Sequence, residues 1–241
     1  AIGRAGDKTP SRSGGRPGDR LWLAGNVGSS VTVTGLLNGE ITAGTNSLGS
    51  LSSASVTGGT NTITGAATVT TVNGGTTTVG GVANITTLTT GTLNLNGASG
   101  SIGTLTAGTF NLNGAAATVG TLSAGTVNLA ASTALTVNEG TFAGSLAGSG
   151  SLIKATTGIL TLTGANLSFT GATTINAGTL IVGNVGSLGS GAVTVNGGTL
   201  DLNYATIGAV ANVITSNGGT IIGGQTTASV TTTGSSSVDT V

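Results

Sequence analysis

Residues 91–129 read GTLNLNGASGSIGTLTAGTFNLNGAAATVGTLSAGTVNL, three successive copies of Gly-Thr-apolar-Asn-Leu opening at Gly91, Gly108 and Gly125. Apolar residues stand two and four positions after each glycine: Leu93 and Leu95, Phe110 and Leu112, Val127 and Leu129. That alternation is the mark of a half-buried strand. The intervening Asn94, Asn111 and Asn128 then face the other way, toward solvent, as does Asp201 further on. A second inward column lies three residues before each next glycine, at Leu88, Leu105 and Leu122, with apolar partners three residues earlier at Ile85, Ile102 and Val119. A spacing of three breaks the two-residue period and predicts a bend or bulge between the partners.

The Gly-Thr pair extends outward from this stretch to Gly44, Gly59, Gly75, Gly140, Gly178, Gly198 and Gly219, with Gly158-Ile159 filling the one gap. Its intervals are 15, 16, 16, 17, 17, 15, 18, 20, 20 and 21 residues. Equivalent residues returning in the same order predict that each repeat is one turn of a coil, stacked like on like. Antiparallel hairpins would reverse the order. The expected fold is all-β, a single parallel β-helix or β-solenoid of about ten to eleven turns with 15–21 residues per turn. One strand spacing per turn makes it a rod roughly 50 Å long. The widening interval predicts a broader cross-section toward the C-terminal end. Asn73-Gly74-Gly75, Asn96-Gly97, Asn113-Gly114, Asn196-Gly197-Gly198 and Asn217-Gly218-Gly219 supply turn residues that tolerate positive φ.

Composition agrees with a scaffold rather than a globule. The 241 residues contain 12 charged side chains, five aromatics, and no Cys, Met or His. Disulfides and Cys-ligated metals are thereby excluded. No apolar run reaches the roughly 20 residues that span a bilayer, so no membrane insertion by this chain is expected. No signal-peptide pattern opens the chain, and a start at Ala1 reads as a processed form or a fragment.

Three segments follow. Residues 1–20 form a basic arm rich in Gly, Pro and Ser, holding five of the six cations and both prolines. Residues 21–230 form the solenoid, and 231–241 a polar C-terminal segment or a last edge strand. The arm is either a flexible tail whose Trp22 plugs the first turn or a clasp on a neighbouring subunit. In the second reading Arg4, Arg12, Arg16, Arg20 and Trp22 are the candidate subunit contacts. Past residue 20 only Lys154 opposes Glu40, Glu139, Asp201 and Asp239, so no face of the rod forms a basic nucleic-acid track.

Catalytic and binding chemistry is sparse. Sugar cleavage on a β-helix needs clustered carboxylates with tuning cations, whereas Glu139, Lys154 and Asp201 lie turns apart and read as solvated or turn charges. Four scattered acids build no calcium cage, and no Gly-rich stretch is followed by a basic residue to meet a phosphate. No cofactor is expected. The Thr column after the turn glycines reads as a hydroxyl ladder between turns. An ice-binding array is disfavoured, because the second Thr column passes to Asn94, Asn111 and Asn128. Asn84-Ile85-Thr86 and Asn166-Leu167-Ser168 match a glycosylation acceptor pattern that arises by chance in such a chain.

The stretch Gly158-Ile159-Leu160-Thr161-Leu162-Thr163-Gly164-Ala165-Asn166, with Phe169, Gly171, Thr173, Ile175 and Gly178-Thr179-Leu180, resembles the autotransporter-associated β-strand repeat. The resemblance continues through Asn203. It implies a right-handed parallel β-helix passenger region of a bacterial surface protein, secreted and commonly adhesive. Two departures stand beside it: the turns before residue 140 are shorter, and no amphipathic strands of an outer-membrane barrel follow. The expected function is that of a non-enzymatic extracellular structural subunit, assembling head-to-tail with copies of itself into a surface filament. The alternative is an autotransporter-like passenger or adhesin fragment acting as a stalk, with surface glycans as partners.

Overall fold

The computed structural model of the protein describes residues 30–38, 40–97, 99–203, 208–224 and 226–239. The basic arm, with Arg4, Arg12, Arg16, Arg20 and Trp22, lies outside the described residues. Every strand pairing is parallel, and the described residues contain no helix, so the chain is an all-β parallel solenoid.

Three walls make up each turn. In the turn opened by Gly108 they are Thr109–Leu112, then the two arms of Ala116–Leu122. The first wall points Phe110 and Leu112 inward, the second Ala117 and Val119, and the third Leu122. The corner between second and third walls falls where the sequence breaks period two. It is a bend without an extra residue: Ile102↔Val119, Thr104↔Thr121 and Leu105↔Leu122 keep one register across it. Every neighbouring rung bends at the same place, and a bulge on one strand alone would have shifted the register.

The second wall is continuous from Leu51 through Ala117 and Leu152 to Val230, eleven rungs in unbroken parallel pairing. The Gly-Thr beat is not continuous. From Thr45 to Thr126 it opens the first wall, each pair stacked on the last. The strand above Thr126–Leu129, however, is Ser145–Gly148, with Thr126↔Ser145 and Val127↔Leu146. Gly140 and Thr141 lie on the third wall, and Gly140↔Leu160, Thr141↔Thr161 and Phe142↔Leu162 carry that wall upward. From there the beat stays on the third wall, with Leu160↔Leu180, Leu180↔Leu200 and Leu200↔Ile221. Stacking of like on like therefore holds from Gly44 to Gly125 and again from Gly158 to Gly219, while the Gly140 repeat between them is two positions out of step with the rung above.

This exchange accounts for the longer turns. Beyond Phe142 the third wall buries two side chains per turn, such as Leu160 and Leu162, where Leu105 or Leu122 stood alone. The first wall loses its regular strand after Ser145–Gly148. Its next rung is an isolated bridge between Gly148 and Phe169, inside a segment that buries Asn166 and Phe169. The added residues enter the cross-section rather than hanging outside it.

Glycine is required where a rung sits directly above another. Gly108 has φ of 82° and Gly125 of 98°, and a Cβ on Gly125 would come 2.5 Å from the oxygen of Gly108. Only a residue without a Cβ meets both constraints.

Candidate functional site

The outward Asn residues form a ladder. Asn128 donates through Nδ2 to Asn111 Oδ1 at 2.7 Å, Asn111 to Asn94 Oδ1 at 2.7 Å, and Asn94 to Thr78 Oγ1 at 3.1 Å. They face away from the core as expected, yet each is half-buried rather than free in solvent. Ala147 follows Asn128 in the register and ends the ladder. Turn asparagines stack likewise: Asn113 donates to Asn96, Asn196 to Asn176, and Asn217 to Asn196. Such bonds tie turn to turn with no contribution from charge.

A second ladder was hidden from sequence reasoning because it runs inside. Asn46, Asn61 and Thr77 occupy the inward column that further on holds Leu93 and Phe110, and all three are buried. Asn46 Nδ2 donates to Asn61 Oδ1 at 2.6 Å, and the amide nitrogens also reach Ala43 O and Gly58 O. The available signal was Asn two positions after Gly44 and Gly59, where every repeat from Gly91 onward is apolar.

The Thr column after the glycines is not a hydroxyl ladder of the expected kind. Ser145 Oγ to Thr126 Oγ1, 3.3 Å, is the one such bond among the described residues. Threonines at strand ends instead cap carbonyls of the rung below, as Thr106 does to Leu88 O and Thr163 to Phe142 O.

Lys154 departs most from expectation. It stands in the second-wall column between Val137 and Ile175, points inward and is fully buried. Its ammonium donates to the Thr156 carbonyl and lies 3.3 Å from Thr156 Oγ1, which itself donates to Asn138 O. Burial pushes its pKa down, and the carboxylate of Glu139 partly opposes that. Period two dictates this position, since Leu152 and Lys154 share one face. Glu139 is exposed and faces outward beside Thr121. Asp201 also faces outward, its carboxylate accepting from the Asn203 N–H at 2.9 Å in a local turn.

Glu139, Thr121, Thr141, Ile159 and Thr161 line a shallow groove on the third wall at the exchange of the beat. It holds one carboxylate among hydroxyls, with the lysine on the inner side of the backbone. That arrangement lacks a second acid or base to share proton transfer. Among the described residues no cluster of His, Cys, Asp or Glu could hold a metal ion, and no helix is long and apolar enough to cross a membrane. Of the glycosylation-type patterns, Asn84 is exposed. Asn166 is buried, accepting from Leu146 N–H at 2.7 Å and donating to Ser187 O at 2.6 Å.

Residues 152–182 match a family model described as passenger-associated-transport-repeat. The match begins in Ser151–Lys154 and ends with Thr179–Val182, taking in one whole turn of the broader half. It overlaps the stretch whose sequence resembles autotransporter-associated repeats and bears out that resemblance there. No curated protein and no solved structure matches the chain.

Proposed function

We propose that this chain is the non-enzymatic, exported stalk of an autotransporter passenger-like surface protein, a rigid rod that holds other parts away from a bacterial cell. The passenger-associated repeat at 152–182 carries this reading. It sits within a ladder whose second wall is continuous over eleven rungs from Leu51 to Val230, so force along the rod is spread over many parallel backbone bonds. The uncharged Asn and Thr faces are available to surface glycans. Protease shaving of intact cells tests export: release of the rod from unbroken cells is expected, and its full protection until lysis would sink the proposal.

A second reading, head-to-tail assembly, is favoured by Val230–Thr233. This strand pairs with Ile214–Asn217 beneath it, and all four of its residues are exposed. A strand in that position can template another chain. The arm residues Arg4, Arg12, Arg16, Arg20 and Trp22 would then clasp the neighbour. Electron microscopy at rising concentration separates the readings, monodisperse rods supporting the stalk and end-joined filaments the assembly.

A further inference from the structure

The Asn-Gly turns are stacked alike, but their reactivity is not alike. An asparagine followed by glycine can cyclise when the backbone nitrogen of the glycine reaches the side-chain carbonyl carbon, and it does so where that nitrogen is unengaged and the turn has room. Gly114 N donates to Leu95 O at 2.8 Å, and Gly218 N to Ser236 Oγ at 2.9 Å. Gly97 is buried, and a Cβ placed on it would run into Gly81 O, as one on Gly74 inside its strand would into Thr57 O. Gly97 shares a free N–H with Gly197, but only Gly197 joins it to an open site. Among the described residues its N–H has no acceptor, it is exposed, and the one atom near a Cβ placed on it is Asn176 O at 3.0 Å.

We propose that Asn196 is a site of spontaneous deamidation, selected from the described Asn-Gly turns by the free N–H and open surroundings of Gly197. The nitrogen of Gly197 bonds to Asn196 Cγ, the Cγ–Nδ2 bond breaks, and ammonia leaves with the proton from the Gly197 amide. Water then opens the succinimide at either carbonyl and leaves aspartate or isoaspartate at position 196. The product alters the ladder unequally. Asn217 Nδ2 keeps an acceptor, whereas the 2.9 Å donation from Asn196 to Asn176 is lost and two oxygens face each other. Isoaspartate also lengthens the backbone between the strands Val193–Val195 and Thr199–Asp201, loosening the rungs above and below.

The test is timed incubation of the whole protein in neutral buffer, then digestion with trypsin and a protease that cuts before Asp. Residues 155–200 emerge as a fragment whose sole Asn-Gly pair is Asn196-Gly197, and 201–238 as one carrying Asn217-Gly218. The expected result is a mass gain of about 1 Da in 155–200 from isoaspartate, with 155–195 appearing where the protease cuts before a new aspartate at position 196, both ahead of the corresponding changes in 201–238. In urea the difference between these two fragments, which carry one Asn-Gly pair each, should vanish. Equal rates in the native protein, 201–238 changing first, or a native 155–200 that changes only in urea would each overturn the proposal. Gly197→Ala, at a position without positive φ, should abolish the gain while the far-ultraviolet circular dichroism stays unchanged, and persistence of the gain in that folded variant would equally overturn it. Should the variant not fold, the comparison of native and urea samples decides alone.

Discussion

Val127 is stacked beneath Leu146 on the first wall, while Phe142, its counterpart in the sequence repeat, is stacked beneath Leu162 on the third. The two halves of the rod thus share one coil but run the same motif on different walls. Phe142 is fully buried at the crossing and is among the largest side chains in the core.

Phe142→Ala should therefore cost about 3–5 kcal/mol, since neighbouring rungs locked by parallel pairing cannot collapse into the void. Denaturant unfolding measures it. A loss below about 1 kcal/mol would show that the crossing is loosely packed.

Lys154 makes stability depend on pH. Its folded pKa lies below the ordinary 10.5, so the unfolded chain holds the proton more tightly. Stability is then reduced below the depressed pKa and rises as pH climbs through it toward 10.5. Lys154→Met should flatten that slope and leave the protein as stable or about 1–4 kcal/mol more stable at neutral pH. Melting curves across alkaline pH check both statements, and an unchanged slope in the variant would place the titration elsewhere.

The inner and outer amide ladders should respond unequally. Asn61→Ala removes a buried acceptor from Asn46 and a donor from Gly58 O, and should cost about 2–3 kcal/mol for the groups left unpaired. Asn111→Ala breaks two bonds at a half-buried position where water can replace them, and should cost about 1 kcal/mol. Paired denaturation curves give the ranking, and an equal or reversed order would argue against burial as its cause.

Gly108 and Gly208 share a φ of 82°, but a Cβ would lie 2.8 Å from Gly91 O at the first and, among the described residues, meet nothing within 4 Å at the second. Gly208→Ala should cost about 1–2 kcal/mol from backbone strain alone. Gly108→Ala should cost more, because contact with the rung below adds to that strain. Thermal melts of the two variants measure the difference.

The parallel solenoid was legible in the sequence because its determinants are local. Leu93 and Leu95 two apart fix a strand face, Gly108 fixes a turn, and repetition in one order fixes parallel stacking. The site features were legible only in part. Asp201 and Glu139 were read as outward charges and are so, whereas Lys154 was read as solvated although its spacing from Leu152 gives it the inward face. Local type outweighed periodicity in that reading, and periodicity was the better guide.

Which wall carries each Gly-Thr pair was decided by the tertiary structure. A glycine followed by an alternating strand satisfies any wall equally well, so Gly125 and Gly140 look alike in the chain. Their placement follows from which rung lies below: Thr121 already pairs with Glu139, which puts Gly140 on the third wall and leaves Ser145 to cover Thr126. The sequence by itself determined that the chain coils, where it turns and which aliphatic side chains enter the core. Register between turns is a property of the stack, because a parallel strand finds its hydrogen-bond partners only on the neighbouring turn.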